Sequence, residues 1–172
     1  MNDNMRMLTD AVFTVIKCVN EMMQMQEKIL IIENNYEELV VAFSKIYMLT
    51  TQEINFFEHE DLIKYFRKYE CEITTEYYIE ALFEKLSSMF DELYKLDVIH
   101  QSKNSHLNNM IKLADKLIDQ TGKYVRKIKS KNKNMDCWYA INAIINIKYD
   151  DFVEWKRRRE RACDFGVRSF IW

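Results

Sequence analysis

The stretch that decides the fold reads EYYIEALFEKLSSMFDELYKLDVI and occupies residues 76–99. Its aliphatic side chains recur at steps of three and four residues, which places them along one side of an α-helix. Phe83 and Phe90 fall beside this stripe and widen it. The stripe consists of Ile79, Leu82, Leu86, Met89, Leu93 and Leu96. The segment is therefore predicted to be a long amphipathic helix with one buried face.

The composition extends this prediction to the whole chain. The 172 residues include no proline and only two glycines, the residue types that interrupt helices and form tight turns. A chain of this length forms one domain by default and can bury a core without a metal or a disulfide. We predict an all-α fold, an up-and-down antiparallel helical bundle of about five to six helices, four of them long. Residues 1–163 are predicted to form the single bundle domain and residues 164–172 a C-terminal aromatic tail.

The same patterns set the expected helix boundaries. The predicted helices cover residues 5–33, 36–49, 50–69, 76–99, 105–131 and 136–163. Asn34 and Asn35 are predicted to separate the first two, because asparagine favours turns and helix caps. Thr50 and Glu53 have the spacing of a capping box that would open the third helix, although residues 36–69 could also form one continuous helix. The last helix is predicted to bury Trp138, Ile141, Ile145, Phe152 and Trp155.

Several functional classes find no support in the sequence. No apolar run approaches the roughly 20 residues that span a bilayer, and the N-terminal residues lack the pattern of a signal peptide. The four cysteines form no Cys-x-x-Cys pair, so free thiols in an intracellular protein are expected. The sequence contains no glycine-rich phosphate-binding loop. It also offers no recognisable pair of a catalytic Ser or Cys nucleophile and a His base. We predict no membrane span, no enzymatic activity, no cofactor and no metal site.

The C-terminal part of the chain is basic. Residues 122–172 hold 13 of the 25 Lys and Arg residues but only 6 of the 27 Asp and Glu residues. The candidate nucleic-acid-binding residues are Lys156, Arg157, Arg158, Arg159 and Arg161. In the alternative interpretation, helices 105–131 and 136–163 form an antiparallel hairpin, and the bundle neutralises the cluster. The hairpin would bring the cluster near Asp91, Glu92 and Asp97, and Glu154 is spaced to pair with Arg158.

A short aromatic segment follows the last predicted helix. Gly166 is predicted to stop that helix in a left-handed conformation. Beyond it lie Phe170, Ile171 and Trp172, three large apolar side chains with no helix left to pack them. They either fold back over the bundle or anchor a protein partner, because exposed aromatic side chains mark interfaces. Both interpretations stay open at this point.

Two short segments resemble known helical families. MDCWYAINAII, residues 135–145, is similar to the start of the final helix of type I interferons, where a Cys and a Trp correspond to Cys137 and Trp138. CWYAINAIINI, residues 137–147, resembles the hydrophobic central helix of poxviral Bcl-2-like proteins. The chain departs from the first family in having no cysteine near its N-terminus to form the family's pairing. It departs from the second because too few residues follow Trp155. Neither resemblance implies a site here.

The function predicted from these features is a non-enzymatic helical protein-interaction module. It would act as an adaptor, an assembly subunit or a host-interaction protein, for instance of a virus with AT-rich coding. It would bind a protein partner, or a second copy of itself, through an apolar groove or through Phe170, Ile171 and Trp172. The alternative is a nucleic-acid-binding or packaging protein that uses the basic cluster.

Overall fold

Five α-helices form the described part of the chain. The computed structural model describes residues 3–24, 27–51, 75–100, 103–128 and 135–164. The helices are α1 (Asp3–Gln24), α2 (Lys28–Thr51), α3 (Thr75–His100), α4 (Ser105–Ile128) and α5 (Met135–Asp164). These residues contain no strand. The all-α prediction is therefore confirmed, and the predicted helix 50–69 lies mostly outside the described residues.

Four of the helices form a closed ring in the order α1, α2, α4, α3. In α3 and α4, Tyr94 bonds Asp115 at 2.5 Å, and the Phe83 and Tyr124 rings meet at 6.0 Å. The residue numbers rise along α3 while they fall along α4, so these two helices are antiparallel. Helices α1 and α2 are antiparallel as well, because Asp10 of α1 lies near Lys45 of α2 whereas Cys18 lies near Glu38.

The other two sides of the ring join parallel helices. Tyr36 of α2 bonds Asn109 of α4. Eleven residues further along α2, Tyr47 contacts Lys116 of α4, so the residue numbers rise along both helices. On the opposite side, α1 and α3 also run parallel, with Thr9 bonded to Tyr78 near the start of each helix. The first four described helices thus alternate in direction along the chain, as predicted for an up-and-down bundle.

The centre of the ring is aromatic. Phe43 of α2 and Phe90 of α3 lie on diagonally opposite helices, and their rings meet edge to face with centroids 5.6 Å apart. Phe43 is 1% exposed and Phe90 is fully buried. The stripe predicted for α3 lies in this core, with Ile79, Leu82, Leu86, Leu93 and Leu96 all buried. The helix that decides the fold therefore supplies its buried face to the ring.

Helix α5 packs across the outside of α1 and α3. Phe152 and Tyr149 of α5 both contact the ring of Phe13 of α1, at 5.7 and 5.6 Å between centroids. The first half of α5 is buried through Ile141, Ile144 and Ile145. The predicted hairpin with the preceding helix is wrong, since α5 does not pack along α4 within the described residues. Although only residues 129–134 connect α4 and α5, these two helices do not pack against each other within the described residues.

The boundary between the first two helices also differs from the prediction. Asn34 and Asn35 lie inside α2, and the Asn35 amide donates a hydrogen bond to the Ile31 carbonyl at 2.8 Å. The helix begins instead after Glu27, whose carbonyl accepts the Ile31 N–H. Ile31 and Ile32 are buried, so the apolar face of α2 continues through the asparagines. Burial of these isoleucines outweighs the weak local preference of asparagine for a turn.

The predicted capping role of Thr50 is also wrong. Thr50 lies in the last turn of α2, and its hydroxyl donates back to the carbonyls of Ile46 and Tyr47. An N-cap residue has a non-helical backbone and accepts a bond from the following turn. The cap that the structure does show is Asn104, whose side-chain oxygen accepts the Leu107 N–H at 3.0 Å at the start of α4. The Asn104 amide also donates to Glu33 of α2.

Substitution of Phe90 by alanine tests the aromatic centre of the ring. We expect Phe90→Ala to lower the free energy of unfolding by about 3–5 kcal/mol, because it leaves a cavity where Phe43 loses its partner. Urea unfolding followed by circular dichroism measures this loss. The control is Val98→Ala on the same helix, where the side chain is 77% exposed and the expected change is within about 0.5 kcal/mol. Equal effects of the two substitutions would contradict the assigned core.

The buried contact between Tyr78 and Thr9 predicts a loss of stability at alkaline pH. Burial raises the pKa of Tyr78 to about 12 from its ordinary value of 10.0. The unfolded chain therefore releases this proton first, and the contribution of Tyr78 to stability falls as the pH rises from 10 towards 12. Urea unfolding at pH 8 and pH 11 should show the stability gap between wild type and Tyr78→Phe narrowing at the higher pH.

The matched control for this experiment is Tyr139→Phe. The Tyr139 side chain is 66% exposed, so folding changes its surroundings little. Its stability gap to the wild type should stay constant over the same pH range. A constant gap for Tyr78→Phe as well would show that the Tyr78 hydroxyl is not buried as the structure places it.

Candidate functional site: a groove beside Trp155

A half-exposed tryptophan stands at the edge of an apolar groove. Trp155 of α5 is 46% exposed, although its helical spacing predicted burial. Its neighbour Phe152, one helical turn earlier, is 8% exposed and packs on Phe13. Trp155 lies on an adjacent part of the helix surface, where α5 meets α1 and α2. The prediction for Trp155 is therefore wrong, while the predicted burial of Ile141, Ile145 and Phe152 is confirmed.

The groove consists of two adjoining pockets that share Arg6, Asp10, Phe152 and Trp155. The first pocket encloses about 360 Å³ between α1 and α5. The second encloses about 470 Å³ and extends to α2, where Val41 is 51% exposed. We call the two pockets together the Trp155 groove. The volume of each pocket lies within the range of small-molecule and cofactor sites, about 300–1,000 Å³.

Cation–π contacts hold the tryptophan ring in place. The Arg159 guanidinium lies 4.6 Å from the centre of the Trp155 ring, and the Lys156 ammonium lies 5.9 Å from it. The Phe152 ring supports the tryptophan from inside at 6.1 Å. Such contacts stabilise an exposed ring by about 0.5–1 kcal/mol. The indole therefore has a defined position although almost half of its surface meets solvent.

Charged side chains surround the apolar floor. Lys156 is paired with Glu38 of α2 at 2.7 Å. Burial raises the pKa of Asp10, and the positive charges of Arg6, Lys156 and Lys45 oppose this effect. Asp10 is thus an acidic side chain, partly shielded from water, in a groove whose charged lining is mainly basic.

The basic cluster of α5 is divided between two faces of the helix. Lys156 and Arg159 line the Trp155 groove. Arg157 and Arg158 both pair with Glu154, at 3.2 and 3.5 Å, which confirms the predicted pairing of Glu154 with Arg158. Arg161 is exposed in the last turn. The cluster therefore does not form one continuous basic surface.

The acidic partners of the cluster differ in part from those predicted, since Glu154 was expected and Glu38 was not. Asp91, Glu92 and Asp97 were expected to approach the cluster from a neighbouring helix, but Glu38 of α2 takes this role. Glu92 pairs instead with Lys95 on its own helix at 3.2 Å. The reason is the position of α5, whose C-terminal half runs over α1 and α2 rather than beside the end of α3.

The tail residues lie outside the described part of the chain. Phe170, Ile171 and Trp172 follow the last described residue, Asp164. Their predicted role as partner anchors stays a prediction.

The described residues offer little for other chemistry. They contain no group of three or more His, Cys, Asp or Glu side chains placed to hold a metal ion. Cys18 is buried in α1, and burial raises its pKa to about 12, so its thiol is a poor nucleophile at neutral pH. None of the described helices carries an apolar stretch that could cross a bilayer.

Sequence reasoning missed most residues of the groove, including Arg6, Asp10 and Lys45. One signal was present in the run Leu39–Val40–Val41–Ala42–Phe43. Five consecutive apolar residues cannot all face one side of a helix, so at least one had to point away from the core. Val41 is that residue.

Comparison with known proteins gives no relative for this chain, since no protein-family model, no curated protein and no solved structure matches it. The groove is therefore interpreted from its own geometry.

Proposed function

We propose that this chain is a non-enzymatic protein-interaction module and that the Trp155 groove binds an amphipathic segment of a partner protein. The observation that carries the proposal is the 46% exposed Trp155 at the edge of an apolar groove. Tryptophan and arginine are the residue types most enriched at the energetic centres of interfaces. Here Arg159 stacks on Trp155, so both types stand together in a fixed arrangement. An intracellular location is part of the proposal and fits the free thiol of Cys18.

The charges of the rim specify the partner segment. The groove is lined by the basic residues Arg6, Lys45, Lys148, Lys156 and Arg159 and by the acidic residues Asp10, Glu38 and Asp151. The excess of positive charge favours a segment that carries Asp or Glu, because complementary charges speed association and exclude wrong partners. The apolar floor around Phe152 requires a large apolar side chain at its centre. The proposed partner segment is therefore an apolar anchor flanked by acidic residues.

A peptide selection tests this proposal with defined probes. A random library of peptides about 15 residues long is selected against the full chain, and the consensus peptide is synthesised with a fluorescent label. We expect a large apolar residue flanked by Asp or Glu. In fluorescence anisotropy, Trp155→Ala should bind this peptide roughly tenfold or more weakly, since the anchor loses its main contact.

Tyr139→Ala is the matched control for Trp155→Ala. Both residues are exposed aromatic side chains on α5, but Tyr139 does not line the groove. Its removal should leave peptide binding unchanged. Equal binding by Trp155→Ala and the wild type, or a consensus rich in Lys and Arg, would contradict the proposal.

The tail is a second proposed contact for the partner, through Phe170, Ile171 and Trp172. Deletion of residues 167–172 separates two roles. If the tail contacts the partner beside the groove, the consensus peptide binds the shortened chain as it binds the wild type. If the tail competes for the groove, the shortened chain binds the peptide more tightly.

Nucleic-acid binding through Lys156, Arg157, Arg158, Arg159 and Arg161 is the alternative function. The structure gives it less support, because Glu154 accepts bonds from two of the arginines and Glu38 from the lysine. We expect double-stranded DNA to bind with a dissociation constant of about 10⁻⁴ M or weaker at physiological salt. Titration of a labelled duplex at low and moderate salt measures this. Tight binding that salt removes steeply would favour the alternative over the groove.

A further inference from the structure

A second cavity lies between α1, α3 and α5. It encloses about 330 Å³. Phe13, Ile16 and Ile145 form its apolar walls, and all three are buried. We call it the Lys85 cavity after the charged residue at its rim. Apart from the wall residue Phe13, none of the side chains that line it lines the Trp155 groove.

Polar groups are confined to the rim of this cavity. The Asn20 amide donates to the Tyr149 hydroxyl at 3.0 Å and links α1 to α5. The Lys85 ammonium donates to the side-chain oxygen of Asn146 and links α3 to α5. The cavity thus combines an apolar interior with a small number of fixed polar groups, which is the usual composition of a small-molecule site.

Lys85 differs from Lys17 and Lys156, two other partly buried lysines of the described chain. Lys17 pairs with Glu21 and Lys156 pairs with Glu38. No carboxylate of the described residues lies within ion-pair distance of Lys85, whose acceptor is the neutral Asn146 amide. Burial lowers the pKa of Lys85, and the negative charge of Asp150 only partly opposes this. A half-buried ammonium group at the mouth of an apolar cavity is stabilised by an anion that replaces the lost water.

We propose that the Lys85 cavity binds a small amphipathic carboxylate, with the alkyl chain among Phe13, Ile16 and Ile145 and the carboxylate bonded to Lys85. Its volume is near the lower limit of ligand sites, about 300 Å³, so a medium-length alkyl chain fits better than a long one. Asn146, which already bonds Lys85, is placed to donate its amide N–H to the second carboxylate oxygen. This inference does not depend on the proposed peptide groove.

Octanoate and 1-octanol are the probes that test the proposal. They share the alkyl chain, and only octanoate carries a charge. Isothermal titration at pH 7 should show octanoate binding the wild-type chain more tightly than octanol does. In Lys85→Met, octanoate should bind at least tenfold more weakly, whereas octanol binding should stay within a factor of two.

Two further variants locate the site and control for charge. Ser88 lines the cavity from its exposed rim, so Ser88→Phe should fill the cavity and remove the binding of both probes without disturbing the core. Lys112→Met removes an exposed lysine on α4 and should change neither affinity. Thermal unfolding verifies that each variant is folded.

Three results would overturn the proposal. The first is that the wild type binds octanoate no better than octanol. The second is that Lys85→Met and Lys112→Met weaken octanoate equally, which would show a general charge effect. The third is unchanged binding by Ser88→Phe, which would place the ligand elsewhere on the chain.

Discussion

The edge-to-face contact between Phe43 and Phe90 is the interaction on which the rest of the structure depends. It joins diagonally opposite helices, so the other two helices of the ring, α1 and α4, must enclose it. Each of the four helices has one broad apolar face, and the ring is the arrangement in which all four faces meet. Within this ring α1 runs parallel to α3, and α2 runs parallel to α4.

The position of the fifth helix explains both candidate sites. A complete four-helix ring has no central position left for α5, so α5 lies across the outside of α1 and α3. A helix that crosses two others fills the space between them only at the crossing, where Ile141, Ile144 and Ile145 are buried. The Lys85 cavity remains beside the crossing, and the Trp155 groove remains where the C-terminal half of α5 passes over α1 and α2. Both candidate sites are thus consequences of one packing arrangement.

Much of the fold could be predicted from the sequence because helical periodicity is a local property. The stripe from Ile79 to Leu96 defined α3, and the absence of proline excluded frequent interruptions.

Pairing between helices is not local, which is why the expected hairpin of α4 and α5 was wrong. The same limit applies to Trp155. Helical spacing places it on the same side of α5 as Phe152, but it does not show whether another helix packs against it. The break near Glu27 was missed because the asparagines at 34 and 35 were a stronger turn signal than any residue at 25–27.

The candidate sites were harder to predict for a physical reason. Each one is assembled from three helices, with α5 more than 100 residues from α1, and most of its residues carry no motif. Phe13, for example, looks like an ordinary core residue in the sequence, yet it lines both the Trp155 groove and the Lys85 cavity. Only the charge of Lys156 and Arg159 and the apolar run at Val41 gave a local signal.

The fold requires the buried apolar side chains of its five helices to pack within one chain. Absolute mass by light scattering on a size-exclusion column, at low and at moderate salt, tests this claim most directly. The structure predicts a single species of 20.9 kDa at both salt concentrations. A mass of twice that value would contradict it, because the apolar faces would then pack between chains.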